Sequence, residues 1–138
     1  MTKRFLIFSG FSGAMAVALG AMGAHSLKQL LEDGYITLSN LQAFETAVKY
    51  QMYHTIALLL VALLAERFHV KRLQKAGYCF MIGIVLFSGS LYLLSTASLL
   101  GISNIRWLGP ITPIGGLFFI AGWILMGFSG IGNHNHNE

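Results

Sequence analysis

The sequence has 138 residues, which is enough for one ordinary domain. Hydrophobic residues make up 55% of it and charged residues only 10%, which excludes a disordered chain and an ordinary soluble domain. The single cysteine, Cys79, excludes a disulfide scaffold and a multi-cysteine metal site. The net charge of +4 resides in connecting segments without interleaved aromatic residues, so we expect no nucleic-acid partner. The sequence predicts an integral membrane protein, whose surroundings are the lipid bilayer.

Three runs of the sequence contain no ionisable side chain of Lys, Arg, Asp, Glu or His: residues 5–24, 76–100 and 111–131. Twenty helical residues reach about 30 Å, the thickness of a hydrocarbon core. Each run therefore predicts a transmembrane helix. The first run exceeds the roughly 7–15 apolar residues of a cleaved signal peptide, so we expect it to be a permanent span.

A fourth span is predicted at residues 44–65, although its first two turns are polar. Glu45 and Lys49 stand four residues apart, the spacing of an ion pair on a helix surface. His54 lies within the apolar part of this run. A half-buried amphipathic helix is the alternative interpretation of this segment.

The first loop contains a pattern for a short amphipathic helix at residues 26–31, which Gly34 ends as a C-terminal glycine. Ser39 or Asn40 is the expected N-cap of the next helix. The predicted fold is therefore all-α: an integral membrane bundle of four transmembrane helices with a short amphipathic helix in the first loop.

We expect residues 1–131 to form this single domain and residues 132–138 to be a disordered polar tail. His134 and His136 lie in that tail, but two histidines without fixed geometry are a poor metal site.

Four spans place both termini on the same side of the membrane. Six basic residues fall on that side and three on the other, and the positive-inside rule then predicts cytoplasmic termini. The expected location is the inner membrane of a bacterium. The larger basic group is Lys3, Arg4, Arg67, Lys71, Arg72 and Lys75, and the smaller is Lys28, Lys49 and Arg106.

Small residues recur at helical spacing in three of the predicted spans. Such residues let helix backbones approach closely where lipid removes the hydrophobic driving force. They predict either a tight bundle or contacts between protomers, and the spacing fits both. The residues are Ser12, Ala16 and Gly20 in the first span, Gly83 and Ser90 in the third, and Gly115 and Gly122 in the fourth.

Several segments, in order along nearly the whole chain, resemble the DUF423 family of small membrane proteins, which also has a eukaryotic transmembrane relative. The resemblance implies a four-span helical membrane protein and implies no established activity, substrate or catalytic residue. The segments are 20–25 (GAMGAH), 44–54 (FETAVKYQMYH), 87–92 (FSGSLY), 111–116 (ITPIGG) and 122–123 (GW).

Tyr50, Gln51 and His54 share one face of the second predicted span, and His25 is expected at a similar depth at the end of the first. One interpretation is a polar pocket opening outward, with His54 as a proton-binding or metal-binding group. The other, which we favour, is a set of interhelical hydrogen bonds.

A charged imidazolium inside a span is costly, so we expect a neutral His54 that is bonded to another group. The hydroxyl groups of Ser88 and Ser90 are the candidate partners on the third span.

The spans lack a paired carboxylate or a ligand cluster, so the sequence predicts no enzyme, no cofactor and no metal. The favoured function is that of a structural or accessory protein, which acts by helix packing with itself or with a membrane-protein partner. The alternative is a small oligomeric transporter or channel for a proton, a metal ion or a small solute, built on the polar face around His54.

Overall fold

The computed structural model describes residues 2–65, 68 and 70–131, and over these residues the chain forms helices and turns without a strand. The predicted tail at 132–138, with His134 and His136, lies outside the described residues, as does Arg67. The helices are α1 (Thr2–Met22), α2 (Lys28–Glu32), α3 (Leu38–Leu64), α4 (Val70–Gly83), α5 (Gly89–Thr96) and α6 (Ile111–Ser129). Two π-helical turns, Gly23–Leu27 and Ile84–Ser88, join α1 to α2 and α4 to α5, and a 3-10 turn at Arg106–Leu108 precedes α6.

These elements form four continuous helical spans, each long and apolar enough to cross a membrane. The prediction of a four-span helical bundle is confirmed. The spans are Lys3–Glu32, Leu38–Leu64, Val70–Thr96 and Arg106–Ser129. The second and third spans begin before the positions expected from hydropathy, because their first turns carry polar residues that extend beyond the hydrocarbon core.

The short helix of the first loop, α2, continues directly from α1 through a π-helical turn. Gly34 ends it with a φ of 79°, in the left-handed region that favours glycine. The amide of Tyr35 donates to the carbonyl of Leu30, and that of Gly34 to the carbonyl of Leu31, which is the Schellman arrangement. Leu27 is buried in an apolar cluster, so this loop is packed against the bundle.

The N-cap of α3 is Thr37, in place of the expected Ser39 or Asn40. The Asn40 amide donates to Thr37 Oγ1 over 3.2 Å, and Asn40 Oδ1 accepts from the Thr37 amide over 3.0 Å. Asn40 thus acts as the reciprocal partner in a capping box, a role that is ordinarily filled by Glu or Gln. This box lengthens α3 at its polar end.

α3 is the central helix and has extensive contacts with the first and third spans, but few with the last. α1 packs mainly along α3, while α4 and α6 form the most extensive helix pair. Buried apolar residues form two clusters, one around Leu58 and Phe80 and one around Leu27 and Phe44. Gln51 stands at the midpoint of α3 between these clusters, so the middle of the bundle contains a polar layer.

Candidate functional site

Gln51 is the centre of a hydrogen-bonded network that joins three spans. Its side chain is 1% exposed. Nε2 donates to the carbonyl of Ser12 in α1 over 2.9 Å, and Oε1 accepts from the hydroxyl of Tyr92 in α5 over 2.7 Å. A carbonyl oxygen only accepts, so these partners fix the orientation of the amide. Ser12 Oγ and Thr55 Oγ1 complete the network at 2.7 Å.

The serines of the third span extend this polar layer. Ser88 Oγ donates to the carbonyl of Ala47 in α3 over 2.9 Å. Ser90 Oγ lies 2.6 Å from Thr112 Oγ1 in α6. Ser95 instead donates to the carbonyl of Tyr92 within its own helix. The third span is therefore hydrogen-bonded to α3 on one side and to α6 on the other.

His54 is the centre of an aromatic group that we name the His54 cluster: His54, Tyr50, Phe80, Phe119 and Trp123. The imidazole is 5% exposed and stacks on the ring of Phe119, with centroids 3.4 Å apart and planes within 7°. The rings of Phe80 and Trp123 approach it at 5.8 and 6.1 Å between centroids. The cluster therefore fills the space between α3 and α6 with aromatic side chains.

The partners of His54 define its tautomer. Nδ1 lies 2.7 Å from the carbonyl of Tyr50, which only accepts, and Nε2 lies 3.2 Å from Nε1 of Trp123, which only donates. Nδ1 therefore carries the proton, and Nε2 accepts through its lone pair. The cross-helix partner is Trp123 of α6, in place of the expected hydroxyls of Ser88 and Ser90.

The predicted common face of Tyr50, Gln51 and His54 divides in the structure. Gln51 is directed to α1 and α5, and His54 to α6. Tyr50 is 40% exposed and stacks on Phe87 at 4.7 Å. Because α3 has neighbours on several sides, the 60° between Gln51 and His54 is enough to direct them at different helices.

His25 lies far from His54, and the expected similar depth of the two histidines is wrong. α1 and α3 are antiparallel, with Gly23 beside Phe44 and Ser12 beside Gln51. His25 is therefore level with the first turns of α3, about twelve residues or about 18 Å from His54. It is exposed and belongs to the surface of the bundle.

The small residues lie where helices cross. Ser12 and Ala16 are buried against α3, and Gly20 is half-buried near Val48. A Cβ built at Gly83 would lie 2.5 Å from the ring of Phe119, one at Gly122 would lie 2.6 Å from the ring of Phe80, and one at Gly115 would lie 2.8 Å from Cα of Phe87. Ser90 is buried with a partner in α6. These positions support packing within one chain.

Sequence reasoning missed two residues of the site, Tyr92 and Trp123. The hydroxyl of Tyr92 is directed inward to Gln51, and the indole N–H of Trp123 donates to His54. The available signal was chemical: a buried amide and a buried imidazole in a span need hydrogen-bonding partners. Tyr and Trp at comparable depth in other spans supply them.

A cavity of about 310 Å³ lies beside the Gln51 network, between α1 and the third span. Phe8, Phe11 and Met15 line it from α1, and Ile84, Val85, Ser88, Gly89 and Tyr92 line it from the third span. Ser12 and Gln51 complete the lining, but almost all of the surface open to the cavity is apolar.

Metal-binding side chains do not gather in the part of the chain that the structure describes. Residues 2–65, 68 and 70–131 contain no group of three or more His, Cys, Asp or Glu side chains that could hold a metal ion. Both nitrogens of His54 already have hydrogen-bonding partners.

The family profile described as "Protein of unknown function (DUF423)" matches residues 19–116. The chain is 42% identical over 125 residues to the UPF0382 membrane protein YwdK of Bacillus subtilis, covering 90% of this chain and 93% of that protein. It is 43% identical to a UPF0382 membrane protein of Haemophilus influenzae, covering 93% and 94%. It is 40% identical to the UPF0382 inner membrane protein YgdD of Escherichia coli, covering 91% and 88%. No solved structure matches the chain.

Proposed function

The chain belongs to the DUF423 family, and from that premise we propose that it is a non-enzymatic accessory protein that acts by packing against a second membrane helix. It is a multi-pass integral membrane protein with four spans. The proposal concerns the outer face of α1 and takes a second copy of this chain as the partner to test first.

The observation that carries the proposal is a second row of small residues on α1. Gly10, Ala14 and Ala18 recur every four residues and are all exposed. This row lies about 160° around the helix from Ser12, which packs on α3. A Cβ built at Gly10 meets nothing within 4 Å.

Within a bilayer, such a small-residue row favours close approach of another helix. The larger side chains beside it are also free of the bundle: Phe11 is 77% exposed and Val17 is 64% exposed. A partner helix would therefore find a shallow groove with apolar borders. The row of Ser12, Ala16 and Gly20 packs α1 within the bundle. The row of Gly10, Ala14 and Ala18 supports association with a second protein.

The alternative, conduction along the His54 face, has less support. Transport of a proton or metal needs a nitrogen that can bind and release its cargo, whereas the two nitrogens of His54 have partners at 2.7 and 3.2 Å. The stacked ring of Phe119 covers one face of the imidazole. These contacts favour a structural role for His54.

The test compares two glycines that are both open to their surroundings. Gly10→Leu fills the outer face of α1, and Gly127→Leu is the matched control, since a Cβ there also meets nothing within 4 Å. Neither change strains the bundle itself. We expect the native chain and Gly127→Leu to form dimers in liposomes, counted by single-molecule photobleaching, and Gly10→Leu to be monomeric. Equal distributions for all three proteins would refute the proposal.

The relative from Escherichia coli is named an inner membrane protein, and we extend that location to this chain with both termini cytoplasmic. The excess of basic residues on the side of the termini supports this orientation. A reporter fused after Glu138 is expected in the cytoplasm, and one inserted at Gly34 is expected outside. A cytoplasmic signal from the Gly34 insertion would reverse the orientation.

A further inference from the structure

A second apolar cavity continues the one beside Gln51, and we name the two together the lateral groove. The second cavity has a volume of about 270 Å³ and shares Phe8 and Val85 with the first. Its other lining residues are Met81, Ile82 and Leu86. Val85 is 61% exposed, so the groove opens sideways, towards lipid. Because its walls are almost entirely apolar, a hydrocarbon chain can lie in it without leaving a polar group unpaired.

The lateral groove has the length of one leaflet of a bilayer. Its lining on α1 extends as far as Met15, and Arg4 lies one turn before Phe8, where that lining begins. From Arg4 to Met15 the helix rises by about 16 Å. Half of a hydrocarbon core is about 15 Å thick. The groove therefore matches an acyl chain that runs from the membrane surface to the middle of the bilayer.

On α1 the groove ends at a basic side chain, that of Arg4. Arg4 is exposed and lies on the same stripe of the helix as the groove-lining residues. The stripe consists of Arg4, Phe8, Phe11 and Met15, at spacings of four, three and four residues. The adjacent Lys3 is about 100° away around the helix, on the side of Gly10. Two neighbouring cations thus differ in their position relative to the groove.

The third span brings a second basic side chain, that of Lys75, to the same end of the groove. Along this span Lys75 is followed on one stripe by Tyr78, Ile82 and Val85. The ring of Phe5 packs on Gly77 so closely that a Cβ there would overlap it. This contact places the start of α1 level with the start of α4. Arg4 and Lys75 therefore stand on opposite walls at one level, and both are exposed.

The distribution of charge favours an anionic group between these two side chains. In the part of the chain that the structure describes, the acidic residues lie at the opposite end of the bundle, in the first loop and the first two turns of α3. They are Glu32, Asp33 and Glu45. Arg72 donates to the carbonyls of Phe128 and Ile131 over 2.6 and 3.0 Å, so it is directed to α6. Basic side chains beside spans at the membrane surface are typical of sites for anionic lipid headgroups.

We propose that the lateral groove binds one anionic phospholipid from the leaflet on the side where α1 begins. The phosphate accepts hydrogen bonds from Arg4 and Lys75, and one acyl chain lies against Phe8, Phe11 and Val85. The groove is on a different flank of α1 from the row of small residues, and the proposal does not rest on self-association.

The experiment measures the unfolding midpoint of the purified full chain in detergent micelles while dioleoylphosphatidylglycerol is titrated. A ligand that binds the folded state raises the midpoint, and the concentration dependence gives an apparent affinity. Dioleoylphosphatidylcholine is the matched probe, because it has the same chains and a headgroup without net charge. We expect the anionic lipid to bind about tenfold more tightly or better, since each basic side chain favours it about fivefold. Glycerol phosphate, the headgroup without chains, should leave the midpoint unchanged.

Single substitutions at exposed positions locate the headgroup. Arg4→Gln and Lys75→Gln should each lower the affinity for phosphatidylglycerol about fivefold and leave that for phosphatidylcholine unchanged. Lys3→Gln is the matched control, because it removes the same charge from the adjacent residue, which faces away from the groove. We expect Lys3→Gln to bind phosphatidylglycerol as the native chain does.

A second pair of variants locates the acyl chain. Val85→Trp fills the groove from an exposed position, and we expect it to lower the affinity for both lipids about tenfold. Leu117→Trp is its control on α6, where the side chain is 65% exposed. This control should bind both lipids as the native chain does.

Four results would overturn the proposal. Equal affinity of the native chain for the two lipids would mean that Arg4 and Lys75 select no headgroup. Equal losses in Lys3→Gln and Arg4→Gln would reduce the effect to diffuse attraction by a basic surface. A midpoint raised by glycerol phosphate alone would make the acyl chain unnecessary. Unchanged lipid affinity in Val85→Trp would place the lipid elsewhere, and loss of dimers in that variant would then assign the groove to a second copy.

Discussion

Gln51 and His54 lie one helical turn apart on α3, yet the two regions around them are built differently. Gln51 joins α1 and α5 through a short series of hydrogen bonds and lies beside a cavity. His54 makes one hydrogen bond to α6 and is otherwise surrounded by stacked aromatic rings. The amide joins three spans beside open space, while the imidazole has both nitrogens bonded in a space filled by aromatic rings.

This difference shows that the polarity of a residue in a membrane span is not sufficient to identify a ligand site. Histidine is the more reactive residue, and the proton-binding or metal-binding role considered from the sequence was therefore placed on His54. In the structure both polar side chains have hydrogen-bonding partners, and open space lies beside the less reactive glutamine. The packing of the neighbouring helices therefore decides where open space remains.

The largest expected effect is a loss of stability when a single methyl group is added where α6 packs on the third span, next to the His54 cluster. Gly115→Ala places a Cβ 2.8 Å from Cα of Phe87, where backbone must move. We expect a loss of about 3 kcal/mol in the free energy of unfolding, at the upper end for overpacking. Unfolding in detergent micelles, followed by circular dichroism, measures it. α6 would separate from the third span, and the bonds of Gln51 to α1 and α5 would remain.

The adjacent glycine is the control for this prediction. A Cβ built at Gly116 lies 3.8 Å from the Phe87 ring, an ordinary contact. Gly116→Ala should therefore be neutral or more stable by about 0.5–1 kcal/mol, because alanine favours the helix. Equal destabilisation by both substitutions would mean that α6 does not pack on Phe87 as closely as described.

The second prediction concerns the Gln51 network. Gln51→Leu removes two short cross-helix bonds and leaves the Tyr92 hydroxyl unpaired, so we expect a loss of about 2 kcal/mol. Tyr92→Phe should cost about 1 kcal/mol, and the double variant should cost no more than Gln51→Leu. Gln42→Leu, at an exposed glutamine of the same helix, is the control and should be neutral. Additive losses from Gln51→Leu and Tyr92→Phe would contradict a shared bond.

The four spans follow directly from the sequence because hydropathy is a local property, whereas the spacing of the small residues fits contacts within the bundle and contacts between protomers equally. The pairing of Glu45 with Lys49 is likewise confirmed, at 3.9 Å. The ends of α3 were harder to predict, because hydropathy does not reveal the capping box formed by Thr37 with Asn40. Local patterns thus predict the number of helices better than their ends.

The partners of Gln51 and His54 could not be predicted in the same way. They depend on how each helix is rotated about its axis, and a rotation of 60° exchanges one neighbour for another. The serines of the third span were plausible partners for His54, but Ser88 bonds to Ala47 and Ser90 lies beside Thr112. Helix rotation is a property of the whole bundle.

The third prediction concerns the cross-helix hydrogen bond of His54. His54→Phe retains the stacking on Phe119 and loses the acceptor for Trp123 together with the bond of Nδ1 to the Tyr50 carbonyl. We expect a loss of about 1 kcal/mol, of which the bond to Trp123 accounts for about 0.6 kcal/mol, the average for such bonds in membranes. Trp123→Phe removes the same bond from the other side. A double-mutant cycle should give a coupling of similar size. A loss above about 2 kcal/mol for His54→Phe would show that the imidazole does more than pack.

The smallest effect is expected at the polar start of α3, where a charged pair is exposed. Lys49 Nζ lies 3.9 Å from Glu45 Oε2, and the side chains are 62% and 47% exposed. Solvent screens such pairs, and their contribution is typically below about 0.5 kcal/mol. Lys49→Met should therefore change the free energy of unfolding by less than Tyr92→Phe does, although it removes a full charge. A larger loss for Lys49→Met would mean that the exposed ion pair stabilises the bundle more than the buried, uncharged hydrogen bonds do. The hydrogen bonds of Gln51 and His54 would then contribute little to the free energy of unfolding. The expected order instead follows burial: the uncharged bonds at the centre of the bundle are shielded from water, and the ion pair is exposed to it.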